Sequence, residues 1–423
     1  MENCNGGKSF GYVGRQCILD KTSNVYGYEL LYRSGFLNKA DVKNNKEATS
    51  KVLINLIDNV GLHNFFGDKK AFINFDETLI HFPFEEIVDG NKIVLEILEH
   101  SEIDQKFVNR LNDLKNKGFE IALDDFSFKY KTKDLFDMAD YIKIDVLETP
   151  EDEIKDIVEK AKKRNITLLA EKVETLEIYN KYKELGFDLF QGYFFARPQV
   201  IIQKQLNPSQ ATLINILNEL NEFSQNLDKI EDLIKNDAHL SYNLLKFINS
   251  AYFNFNSEIK NIRHAISLLG IQKLKVWIIL LLYSNDFSFQ VSSNPLFELA
   301  IIRSKILEIL ASKYRKDRDF AGEAYLLGLL SLCDIILGIE KREFVSTLRI
   351  SEEIKNAILY RTESFLSDML TVVELLEIQE INSIPPIIEK YNLKLDDIFQ
   401  AEEKSIEYVE KLKKSLFDTQ IQS

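Results

Sequence analysis

Seven short apolar runs succeed one another between residues 26 and 194, and each carries a charged or carboxamide residue inside it or at its end. They read YGYELLYR, KAFINF, KIVLEI, EIALDD, DYIKID, TLLAEK and DLFQGYF, and the polar residues are Glu29, Asn74, Glu96, Asp124, Asp125, Lys143, Glu171 and Gln191. The runs are rich in Ile, Val, Leu, Phe and Tyr, are bounded by polar or Gly-containing stretches, and alternate with segments of helical pattern, as a buried parallel sheet with crossover helices does. A carboxylate or carboxamide inside such a strand is costly unless it is paired, hydrogen-bonded or bound to metal. Eight of them on successive strands predict a single polar site at one end of a barrel, where the strand C-termini converge.

Eight strands are expected, at Tyr12–Ile18, Val25–Arg33, Ala71–Phe75, Ile93–Ile97, Glu120–Asp124, Tyr141–Ile144, Thr167–Glu171 and Asp188–Phe194. The link DKTSN between the first two is too short for a crossover helix and predicts an antiparallel hairpin. Later links hold amphipathic stretches such as EDEIKDIVEKAKKRN and ETLEIYNKYKELG, the second closed by a stop signal at Gly186. After Pro198 the strands give way to apolar residues recurring at three and four, from ATLINILNELNEF to the C-terminal EEKSIEYVEKLKKSLF. A chain of 423 residues exceeds one ordinary core. The expected organisation is an α/β half, a compact (β/α)8-type barrel with an antiparallel first hairpin over 1–200, followed by an all-α helical domain over 201–423, with the boundary near 198–210.

Several function classes are disfavoured. A net charge of −13 argues against nucleic acid as a general partner. Cys4, Cys17 and Cys333 are odd in number, far apart and in no CxxC spacing, which speaks against a disulfide framework or zinc site. Residues 1–10 are polar and show no signal peptide. The longest apolar stretches, Val276–Tyr283 and Tyr325–Leu337, fall short of the roughly 18–20 residues of a membrane span. The expectation is a soluble cytoplasmic protein with no membrane partner.

The barrel motifs together carry a resemblance. YGYELLYR resembles the ExLxR signature of EAL domains, the barrel phosphodiesterases of cyclic di-GMP. FINFD is similar to their strand Asn, VLEILE to their ExxE and ALDDF to their double-Asp element, and YIKID, AEKVET and QGYFFARP resemble three further signatures in the same order. The resemblance implies two hard cations, Mg²⁺ or Mn²⁺, that activate a water for in-line attack on a phosphodiester. Glu29, Asn74, Glu96 and Asp124 match metal ligands, Asp124 bridging to a second metal completed by Asp125. Lys143 matches the lysine that orients the attacking water, and with Glu171 it is the catalytic expectation. Glu174 and Gln191 match the late polar cluster around metal and substrate, and Arg33 the arginine on a substrate phosphate.

Active EAL enzymes continue the double Asp as DDFGxG, whereas here the chain reads DDFSFKYKTKDLF. Ser127, Phe128 and Lys129 tolerate positive φ poorly, so the loop is expected to leave its usual conformation and to shift Asp125. The helical half resembles HDOD domains, through NDAHLSYNLLKFINS, with Asp237 and Asn249–Ser250 in place and Ala238 where Pro is common, and through IRHAISLLGIQKLKVW. None of the five histidines precedes an Asp, and GLLSLCDII offers Cys333–Asp334 where an HD enzyme has its metal-binding pair, so this half is expected to bind or relay. The favoured expectation is a bacterial signalling protein whose degenerate barrel binds cyclic di-GMP, metal or a protein partner and relays to the HDOD module. The alternative is an active Mg²⁺- or Mn²⁺-dependent enzyme yielding linear pGpG; a third is a scaffold with internal ion pairs.

Overall fold

Eight strands close into a barrel in the order β1 to β8, in a computed structural model that describes residues 11–34, 66–75, 84–86, 88–194, 208–222, 226–248, 261–283, 295–337 and 339–417. β1 (Gly11–Asp20) and β2 (Val25–Ser34) form the antiparallel hairpin. The Asp20 side chain builds its turn, accepting from the amide and hydroxyl of Thr22 and from the amide of Asn24, while Ser23 takes φ 62°. β3 (Lys70–Asn74), β4 (Ile93–Ile97), β5 (Glu120–Leu123), β6 (Tyr141–Asp145), β7 (Thr167–Glu171) and β8 (Leu189–Gln191) follow in parallel, and β8 meets β1 antiparallel to shut the ring.

Three described helices clothe this barrel: α1 (Gln105–Asn116), α2 (Glu151–Lys162) and α3 (Leu176–Leu185). The side chain of Asp104 accepts from the amide of Phe107 to start α1, and Thr175 does the same for Ile178 at α3. Gly186 ends α3 at φ 111°, the left-handed stop expected from sequence. Between β5 and β6 the crossover is a 3-10 segment, Lys131–Met138, in place of an α-helix.

The strand period of two sorts the barrel interior into layers. Ile18, Phe72, Val94, Ala122, Tyr141, Leu169 and Leu189 pack as one buried apolar cluster. Two positions further along the parallel strands stand Asn74, Glu96, Asp124, Lys143, Glu171 and Gln191. An apolar floor therefore lies under a polar mouth at the strand C-termini, the end where sites form in barrels of this kind.

The second half is helical: α4 (Pro208–Asn221), α5 (Leu227–Lys235), α6 (Ala238–Ile248), α7 (Ile262–Leu269), α8 (Ile271–Tyr283), α9 (Pro295–Tyr314), α10 (Arg318–Leu330), α11 (Cys333–Leu337), α12 (Lys341–Ser346), α13 (Glu352–Leu359), α14 (Phe365–Glu377), α15 (Pro385–Ile388) and α16 (Leu395–Phe417). Arg303 is buried in it, its fork matched to Glu377 at 3.0 and 2.6 Å with a third bond to Ser331. Two compact units emerge: Met1–Phe195 with Lys394–Glu403, and Ala196–Leu393 with Lys404–Ser423. Among the described residues no helix is long and apolar enough to cross a membrane.

Candidate functional site

Four carboxylates from four different strands or strand ends converge on one ammonium. Lys143 Nζ lies 2.7 Å from Glu96 Oε1, 2.7 Å from Asp124 Oδ1, 3.1 Å from Glu171 Oε1 and 3.4 Å from Glu29 Oε2. Lys143 is 1% exposed and Glu96 fully buried. The hydrogen-bond ladder holds their backbones beyond the strand ends. Phe75 N donates to Glu96 O, Phe126 N to Lys143 O and Val173 N to Gln191 O, at 2.8 to 3.0 Å.

Gln191 Nε2 donates to Glu29 Oε2 and to Gln16 Oε1, each at 2.7 Å. The turn behind it is closed by Gly192 at φ 145°, where any Cβ would strike the backbone of Val173. Gln16 belongs to none of the polar-bearing runs in the sequence. Its signal is the same period of two, read backwards: β1 runs against the other strands, so its mouth residue precedes Ile18 by two.

Burial pushes the Glu96 carboxyl well up, against the opposing pull of Lys143 and with the push of Glu29 and Asp124. Burial likewise raises Glu171 to about 8, again resisted by Lys143 and reinforced by Asp124 and Glu29. For Lys143 burial disfavours the charge, but Asp124, Glu171, Glu29 and Glu96 outweigh it and hold the ammonium protonated well above its usual range.

Asn74 Oδ1, Gln191 Oε1 and Glu96 Oε2 are buried without a hydrogen-bond donor, and Glu96 Oε1 and Asp124 Oδ1 meet Lys143 Nζ as charge contacts without an aligned hydrogen bond. Orphaned oxygens inside a ring of carboxylates suit a hard divalent cation, which takes oxygen ligands and tolerates no soft ones. The donor set therefore fits Mg²⁺ or Mn²⁺. At the rim, carboxylate oxygens of Glu99, Asp124 and Asp125 lie within 4.8 Å of one another and form a second oxygen cluster. Glu99 was part of the quoted VLEILE run but had no expected role; its spacing of three from Glu96 carries it past the strand end to the rim.

Asp125 takes φ 42°, a left-handed conformation in which Asp is one of the tolerated side chains. None of Phe126, Ser127, Phe128, Lys129 and Tyr130 has positive φ. Although Asp125 is exposed at the rim, partial crowding by the protein, with Asp124, Glu99 and Asp145 beside it, pushes its carboxyl up to about 6. The segment that follows is held by packing. Phe126, Phe128 and Phe136 meet ring to ring at 5.1 to 5.5 Å, Lys160 lies 4.2 Å over the Phe128 ring, and Ser127 Oγ donates to Glu153 at 2.5 Å.

Glu174 is exposed, one residue before the Thr175 cap. Arg33 belongs to β2 and pairs with Tyr12, but its side chain lies outside the described residues. In the helical half the Asp237 side chain accepts from the Leu240 amide at 3.1 Å, while Asn249–Ser250 lie outside the described residues. Cys333 and Asp334 are both buried, Cys333 Sγ bonding to the Leu329 carbonyl and Asp334 facing Lys341 at 3.6 Å.

Family models match in the expected order: an EAL domain over residues 66–198 and an HDOD domain over residues 206–358. The uncharacterized protein YuxH of Bacillus subtilis is 34% identical over 373 residues, covering 86% of this chain and 90% of that protein. The cyclic di-GMP phosphodiesterase CdgJ of Vibrio cholerae is 26% identical over 394 residues, covering 92% and 90%. Among solved structures, an EAL domain protein from Listeria monocytogenes is similar at 23% identity and TM-score 0.38, covering 44% of this chain and 87% of that one.

Proposed function

Because the chain belongs to the family of proteins in which an EAL domain is followed by an HDOD domain, we propose that its barrel is a divalent-cation-dependent phosphodiesterase acting on cyclic di-GMP. The observation that carries this reading is the ring of four carboxylates around Lys143, on the same strand ends as the buried oxygens of Asn74 and Glu96 that lack a hydrogen-bond donor. Glu29, Asn74, Glu96, Asp124 and Glu171 would hold one Mg²⁺ or Mn²⁺, and Glu99, Asp124 and Asp125 a second. Such cations neutralise phosphodiester oxygens and supply a water of lowered pKa. Lys143 donates to charge developing on the phosphoryl group, and Glu171, once a bound cation has displaced the proton it holds up to about pH 8, is the carboxyl of the ring suited to accept a proton from water. Gln191 fixes the orientation of Glu29. Arg33 and Glu174 are proposed substrate contacts. The balance is one water added across one P–O bond, giving linear pGpG. The name of the Vibrio cholerae relative supports the same substrate.

A second reading, in which the barrel binds cyclic di-GMP without cleaving it and relays to the HDOD half, is favoured by one observation. Asp125 stands exposed on left-handed backbone at the head of a segment that lacks the family glycines. The two readings separate in one experiment on the full chain. Cyclic di-GMP is titrated by calorimetry in Ca²⁺, and pGpG is then followed in Mg²⁺ or Mn²⁺. Turnover lost in Glu29→Ala supports the enzyme. Binding without turnover replaces it with the relay, and absence of both removes the two together.

A further inference from the structure

A divalent cation binding the ring must take oxygens that Lys143 already holds. Its ammonium touches all four carboxylates, from β2, β4, β7 and the residue after β5, and is 1% exposed. Lys172, the residue after β7, pairs instead with Asp145 at 2.5 Å and Glu148 at 3.7 Å. An ammonium brings one charge and three donors. Four carboxylates exceed both, and Glu96 Oε2 and Asn74 Oδ1 are left without a donor. A hard divalent cation takes six or more oxygens and satisfies what the lysine cannot. The lysine is thus enough to hold the ring together and too little to satisfy it.

We propose that Lys143 is the built-in competitor of the divalent cation: it holds the four carboxylates together when no metal is bound, and it sets the metal affinity of the barrel by having to release their oxygens. The proposal rests on reading the ring as a cation site but not on turnover. Its consequences run in opposite directions for stability and for binding. Removing the ammonium leaves like charges facing each other across the barrel, which destabilises the chain without metal. The same removal spares an incoming cation the displacement, which tightens binding.

The test uses the full chain, with Mn²⁺ alone as probe, and reads melting temperature and calorimetric affinity. Lys143→Met is expected to melt lower than wild type in chelator, to gain more from Mn²⁺ than wild type does, and to bind Mn²⁺ about tenfold or more tightly, a coupling of ordinary size. Lys143→Arg, which keeps the charge, is expected to melt near wild type in chelator and to bind no more tightly. Equal or weaker Mn²⁺ binding by Lys143→Met overturns the proposal, as does equal gain in Lys143→Arg, which shows that loss of the charge is not the cause. If Lys143→Met folds only when refolded with Mn²⁺, the proposal is supported; if it fails to fold with or without Mn²⁺, the cation does not replace the ammonium and the proposal falls. Wild type that binds Mn²⁺ while Lys143→Met gains nothing removes the lysine inference alone. No binding by either chain removes the cation-site reading with it.

Discussion

Glu171 and Asp125 carry carboxyls that ionise against resistance, and this fixes how the chain responds to pH. Their folded-state values, about 8 and about 6, lie above the ordinary 4.5 and 3.8. The folded chain therefore holds these protons more tightly than the unfolded chain. The stabilisation is complete below the ordinary values and is lost as pH rises through about 6 for Asp125 and about 8 for Glu171. Glu85, held at about 2 by Arg110 and Lys117, acts in the opposite sense, but only below 4.5. Urea midpoints in chelator are expected to decline from about pH 5 to about pH 9, with Glu171→Gln flattening the upper part and Mn²⁺ reversing the decline. A midpoint that climbs over that range contradicts the assignment. Most of this cluster was legible at the residue scale, since Glu29, Glu96, Asp124, Lys143 and Glu171 stand out as charges inside apolar runs. Gln16 and Glu99 were not, because one lies on the reversed strand and the other just beyond a strand end.

At the scale of elements, the segment after Asp125 shows how local chemistry and tertiary packing divide the work. The sequence lacks the usual glycines, and the described loop avoids needing them: the left-handed step falls on Asp125, and the rest is pinned by three Phe rings, by Lys160 and by Glu153. The pinning is aromatic burial more than charge, because Lys129, which also pairs with Glu153, is largely exposed. Phe128→Ala should cost about 2–4 kcal/mol, toward the low end because the ring is only part-buried. It should also speed hydrogen exchange over 126–138 and weaken the rim cluster ahead of the inner ring. Unchanged exchange there would show that the rings do not hold the loop.

At the scale of the whole molecule, a segment distant in sequence joins the barrel unit. Lys394–Glu403, the start of α16, groups with the barrel unit, and Lys404–Ser423 with the helical one. Gly14 on β1 has no side chain where the Glu402 carboxylate arrives, and a Cβ there would meet Glu402 Oε1 at 2.5 Å. A fragment of residues 1–200 is therefore expected to unfold at lower urea than the barrel transition of the full chain. A fragment that matches the full chain would show that the distant segment adds nothing to the barrel.

The features legible in the chain alone are periodic and ordered: eight strands, the antiparallel start, the helical second half, and the polar residues that the later strands carry. These follow from hydrophobic period and link length, which act within a few residues of each position. Which of these residues meet is settled across strands, in three dimensions. Closure of β8 onto β1 and the register of each parallel pair bring Glu29 and Gln191 within one hydrogen bond of each other. They also set Lys143 among carboxylates from strands on every side of it. Contact across a barrel depends on ring closure and strand stagger, which no single strand encodes. The sequence thus names most of the residues that line the barrel mouth, and the closed barrel chooses their partners.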